Sequence, residues 1–109
     1  MNTDYKGYME QVTTFEADET VEVGKAVAMK ENGKVKLATS GKPVGLCIAL
    51  RAGYAAVQTH GYMEVPYSGT ANVGVTGVTT DSEGKFAQND EGRDCIVVYA
   101  DSKYAGIIL

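Results

Sequence analysis

Tryptophan is absent from this sequence, histidine occurs once, and proline and cysteine occur twice each. Each scarcity bears on function. With a single histidine, His60, and no CxxC pair, the residue types that hold zinc are missing at any usable spacing. The same histidine lacks the company a nucleophilic mechanism needs. Ser68 and several acids follow it, but no nucleophile elbow does, and Gly61 beside it marks a turn. Cys47 lies in Leu46-Cys47-Ile48 and Cys95 opens Cys95-Ile96-Val97-Val98. Thiols in such apolar runs read as small buried hydrophobes. Positive charge is also short: 10 Lys and Arg stand against 14 Asp and Glu, a net charge of −4. That lacks the electrostatic footprint of a nucleic-acid binder, and Tyr54, Tyr62 and Tyr67 have few basic neighbours to make a stacking platform. No run approaches the roughly 20 apolar residues that span a bilayer. The opening Met1-Asn2-Thr3-Asp4-Tyr5-Lys6 has no apolar stretch of a signal peptide, so synthesis in a host cytoplasm is expected. Neither a phosphate-loop GxxxxGK[ST] spacing nor a cofactor motif occurs.

Glycine and tyrosine are plentiful, at 13 and 7 residues, in a chain 44% hydrophobic and 22% charged. That balance is globular, and 109 residues make one domain. We read residues 1–10 as a flexible N-terminal arm and 11–109 as a single β domain. In the arm, Tyr5, Tyr8 and Met9 are the candidate partner-binding residues. From Gln11 onward, β-branched residues alternate with polar ones, and turn signals recur every eight to twelve residues. Strands are expected near 11–17, 21–23, 26–29, 35–38, 44–50, 54–59, 62–66, 73–78, 95–99 and 104–109. Asn32-Gly33 and Asp81-Ser82-Glu83-Gly84-Lys85 are hairpin signals. No segment carries three helical turns of apolar spacing. The expected class is all-β: a small β-barrel or β-sandwich of short antiparallel strands.

The halves of the chain resemble each other at an offset of about fifty residues, an internal pseudo-repeat. Gly24 aligns with Gly74, Gly33 with Gly84, Cys47 with Cys95, and Tyr54 with Tyr104. Acids gather late, at Asp81, Glu83, Asp90, Glu91 and Asp94. Asp81-x-Glu83-Gly84 has a faint likeness to a calcium loop, but the fixed ligand spacing and flanking helices of an EF-hand are missing. We read these acids as solvated turn residues.

Val23-Gly24-Lys25-Ala26-Val27, the glycine hairpin leading to Lys34-Val35-Lys36-Leu37-Ala38-Thr39, and Pro43-Val44-Gly45-Leu46-Cys47-Ile48-Ala49 form a pattern. It continues through Ala55-Ala56-Val57-Gln58-Thr59-His60-Gly61-Tyr62-Met63-Glu64-Val65-Pro66. This pattern resembles the small head decoration and stabilisation proteins of tailed phages. The resemblance implies a non-enzymatic virion protein on the capsid surface, bound to the major capsid protein as a homotrimer. It implies no cofactor, no metal, no direct nucleic-acid contact and no membrane. Competing readings are a head-fibre base or tail-associated module, a small β-barrel binding protein, and a small β-barrel hydrolase. The absence of Trp argues against a carbohydrate-stacking binder, and a hydrolase would require clustered polar groups in a pocket.

Overall fold

A computed structural model describes residues 11–69 and 72–109. The expected arm, with Tyr5, Tyr8 and Met9, lies outside the described residues. The described chain forms ten strands: β1 Gln11–Ala17, β2 Ala26–Glu31, β3 Lys34–Leu37, β4 Gly45–Arg51, β5 Tyr54–His60, β6 Tyr62–Ser68, β7 Gly74–Thr80, β8 Phe86–Gln88, β9 Arg93–Ala100 and β10 Tyr104–Ile108. They close into two five-stranded barrels, in the orders β1-β3-β2-β4-β5 and β6-β8-β7-β9-β10. Pairings are antiparallel except for one short parallel contact in each barrel, β1 with β3 and β6 with β8. The fold is thus all-β and barrel-type.

Alternation builds both interiors, because successive strand side chains point to opposite faces. The first barrel fills with small residues: Val27, Val35, Cys47, Ala55 and Val57, with Val21 added from a loop. Residues 21–23 were expected as a strand. Instead Val21 is buried from the loop and Val23 is 56% exposed in the following turn. The second barrel takes larger side chains, Met63, Val65, Tyr67, Phe86, Val97 and Ile107.

The repeat in the sequence is a repeat in the fold. Each strand of the first barrel has a counterpart five strands later with the same neighbours. Tyr54 faces Glu16 across β5 and β1, as Tyr104 faces Pro66 across β10 and β6. Gly33 and Gly84 both turn the chain at positive φ, 74° and 79°. Two of the expected matches fail. Gly24 lies in the turn before β2, whereas Gly74 opens β7. Cys47 pairs with Val57 just before a bulge, and the residue in that place in the second barrel is Val97, paired with Ile107. Cys95 falls two residues earlier. Short apolar runs look alike in sequence, and only the bulge fixes the register.

The barrels share a core. Ala26, Ala38 and Leu46, which point outward from the first barrel, join the buried cluster of the second. A difference between the repeats makes room for a backbone bond across the junction. In the first barrel the Glu16 N–H donates to Gly33 O at 2.9 Å. The equivalent of Glu16 is Pro66, which has no N–H. Gly84 O is left open within its own barrel and accepts the Ala26 N–H from the first, at 3.0 Å. Arg93 completes the junction. Its guanidinium donates to Val44 O at 2.6 Å, Thr59 O at 2.8 Å and Pro43 O at 3.3 Å.

Arg93→Ala leaves these carbonyls without their donor and is expected to lower the unfolding free energy by about 2–4 kcal/mol. Arg93→Lys restores only part, because one ammonium lacks the planar fork that reaches both strands. Urea unfolding of the three proteins checks this; equal midpoints would mean that the guanidinium bonds contribute nothing.

Candidate protein-binding surfaces

The polar groups singled out by sequence are used up locally. His60 ends β5, exposed, with its Nδ1 3.0 Å from Thr59 Oγ1. Ser68, the serine nearest it in sequence, bonds the Asp81 carboxylate instead. Asp81 Oδ1 also accepts the N–H of Glu83 at 2.8 Å and of Lys85 at 3.0 Å. Burial alone pushes its pKa up, but these donors outweigh it and hold the carboxyl below the ordinary range. Asp101 does the same for the β9–β10 turn, accepting from Lys103 and Tyr104 at 2.8 and 2.7 Å. Asp81 and Asp101 are thus turn caps. Among the described residues no three His, Cys, Asp or Glu side chains are grouped to hold a metal ion.

Other reactive groups are sealed in. Cys47 and Cys95 are buried free thiols, and burial raises both pKa values, that of Cys95 to about 11. Inside the second barrel, the Tyr67 hydroxyl and Thr80 Oγ1 are buried with no hydrogen-bond partner. Burial lifts the Tyr67 phenol to about 12. On the outer face, Tyr99 donates to Glu64 Oε2 at 2.5 Å. Gly106 makes this possible: a Cβ there would sit 2.4 Å from the Tyr99 ring and 2.5 Å from the Tyr62 hydroxyl. The adjacent Glu64 carboxylate holds the Tyr99 phenol far above its ordinary range.

The surface offers three places for a partner. A pocket of about 260 Å³ is lined by Tyr67, Lys85, Ser102, Lys103 and Tyr104. Its cationic walls are partly neutralised, since Lys85 lies 3.9 Å from Glu83.

The second place is the tip of the β4–β5 hairpin. Arg51 and Tyr54 face each other across a two-residue turn. Both turn residues are left-handed, Ala52 at φ 50° and Gly53 at φ 82°, the geometry that matches strand twist. Ile48, Leu50 and Tyr54 are 42%, 40% and 56% exposed there. The opposite end of the hairpin is held by Arg93, and the tip lies roughly 20 Å along the strand from it, seven residues of strand. In the second barrel the equivalent turn is polar, capped by Asp101.

The third place is an apolar groove of about 400 Å³ on β7, β9 and β10, lined by Val75, Ile96, Ile108 and Leu109. Sequence reasoning missed both apolar surfaces. Their residues sit in ordinary strand patterns, and only closure of the barrels shows which faces are left uncovered.

The chain matches no protein-family model and no curated protein.

Two substitutions test these local assignments. Tyr67→Phe keeps the ring and removes the unpartnered hydroxyl, so stability is expected to rise by about 1 kcal/mol, read from thermal unfolding. Asp81 has its folded pKa below the ordinary aspartate value of 3.8. Its contribution is therefore present above that value and lost as pH falls through the folded pKa. Asp81→Asn should flatten the acid limb of a stability–pH curve below about pH 4; an unchanged limb would remove Asp81 from the explanation.

Proposed function

We propose that this protein is a non-catalytic structural component that binds the outside of an assembled phage capsid and stabilises it. Its partner on this reading is the major capsid protein, and its location is the virion surface. The sequence resemblance supports the reading over residues 23–66, which run from the turn before β2 into β6 and so include most of the first barrel. The observation that carries it is the exposed apolar tip of β4–β5. Closed barrels have no free sheet edge to lend to a partner. Docking must therefore use side chains, and the hairpin end exposes Leu50 on one face and Tyr54 on the other, with Ile48 exposed at the bulge behind them.

The mechanism follows from linkage. A capsid under internal pressure fails where its subunits part. A protein that binds the assembled state and not the separated subunits adds its binding free energy to the cost of parting them. A homotrimer on a threefold site would let three modest contacts act together.

The test mixes the purified protein with assembled capsids of its source phage that lack it. Saturable co-sedimentation and a raised disruption temperature are expected. Leu50→Asp should weaken binding by at least about tenfold, since one apolar anchor of this size is worth about 1.5–3 kcal/mol. Tyr54→Ala should do the same, and both variants should unfold near the parent temperature. No binding by the parent protein to mature capsids would overturn the proposal.

A further inference from the structure

The two barrels present the same row of side chains in opposite circumstances. In the first barrel Ala26, Leu46 and Gln58 lie side by side across β2, β4 and β5. The second barrel lies over this row, which is 0%, 7% and 5% exposed. In the second barrel the equivalent row is Val75, Ile96 and Ile108, across β7, β9 and β10. The match is fixed by the bulge, since Leu46–Gln58 and Ile96–Ile108 each stand one pair before it. Among the described residues this second row is left largely uncovered, with Ile108 half-buried. Val75 is 80% exposed, Ile96 45% and the adjoining Val73 69%.

Chemistry runs against solvent exposure here. The covered row is Ala, Leu and Gln; the uncovered one is Val, Ile and Ile. A repeat protein ends in a polar cap when its last face meets water. This last face is more apolar than the internal one, which marks it as a contact surface.

We propose that the Val75–Ile96–Ile108 row is covered by the same row of further copies of this chain, meeting across a symmetry axis. Within the chain, the row of the first barrel is buried in a cluster that includes Met63, with Leu109 packed against it. The first barrel of a neighbouring copy cannot supply that cover. At the fifty-residue offset set by the β1–β5 and β6–β10 registers, it has Thr13 and Thr59 where the second has Met63 and Leu109. A row facing its own copies pairs apolar with apolar, and closed symmetry brings the same row of each copy to the axis. Copies of net charge −4 repel one another, but the groove itself carries a single charged residue, Asp94, at its margin. The interface therefore keeps most of the negative charge outside it.

Sedimentation of the full-length protein from micromolar to millimolar concentration tests this without capsids. The mass is expected to rise above the monomer with concentration. Val75→Asp and Ile96→Asp should each weaken self-association by at least about tenfold. Circular dichroism and thermal unfolding of both variants at low concentration should match the parent, because the substituted side chains are solvated in the single copy. Should Ile96→Asp fail to fold, the more exposed Val75→Asp still decides. A parent protein that stays monomeric throughout, or a folded Val75→Asp that associates as before, overturns the assignment. Capsid binding is read separately, so a monomer that binds capsids would sink this inference and leave the decoration reading standing.

Discussion

The arrangement of the two barrels depends on a half-buried cation with no anion. Arg93 stands at the start of β9 and spends its guanidinium on three backbone carbonyls of the first barrel. Desolvation lowers its pKa, yet a guanidinium remains charged at any ordinary pH. The charge is met by carbonyl dipoles rather than by a carboxylate. Those carbonyls belong to Pro43 and Val44, where the chain enters β4, and to Thr59, near the end of β5. They bracket Leu46 and Gln58, the residues whose outward face packs on the second barrel. One side chain thus fixes the two strands that carry the contact, and it does so through main chain, where little slack exists.

Proline at position 66 is the complementary constraint. A perfect duplicate would satisfy Gly84 O inside its own barrel, as Gly33 O is satisfied by the Glu16 N–H. Replacing that donor with an imide nitrogen opens one acceptor, and the Ala26 N–H fills it. The junction is therefore written into the difference between the repeats rather than their likeness. The same holds for their contents. Val, Ala and Cys fill the first barrel, while Tyr67 and Phe86 help fill the second.

Much of this was legible in the sequence, because the strands obey period two and their turns carry glycine. Nine of the ten observed strands fall close to expected ones, and the fifty-residue echo is a true structural repeat. The tenth, β8, is three residues long, too short to show a pattern. What stayed hidden was register. Cys47 and Cys95 look equivalent because each is followed by an isoleucine and a further apolar residue, yet a bulge in each hairpin shifts the match to Val97. The late cluster of acids looked like solvated surface. Asp81 among them caps its turn by accepting from the N–H groups two and four residues on, as Asp101 outside that cluster does from those two and three residues on, a role that aspartate shares with asparagine and that composition does not separate. The asparagine of Asn32-Gly33 turns the chain with only Gly33 left-handed; the paired left-handed turn sits at Ala52-Gly53, where Ala gives no hint of it. Of the candidate site, the sequence offered Tyr5, Tyr8 and Met9, none within the described residues.

Closure into barrels decides what kind of surface is left for function. An open sheet recruits partners through its edge, whose unpaired N–H and C=O groups accept almost any strand. Here both sheets close, so the main chain of the strands is spent internally and recognition falls to side chains on rigid faces. Two such surfaces are apolar, one on each barrel: the β4–β5 tip, and the β7–β9–β10 row. A single hydrophobic face suits one partner. Two on one rigid body allow a chain to hold a neighbour of its own kind while touching something else, and the rigidity supplied by Arg93 fixes the distance between the contacts. Linked contacts gain affinity only when their spacing matches the sites they meet. On the decoration reading, a stiff double barrel suits a lattice whose subunits sit at set distances, where two barrels on a flexible tether would lose most of that gain.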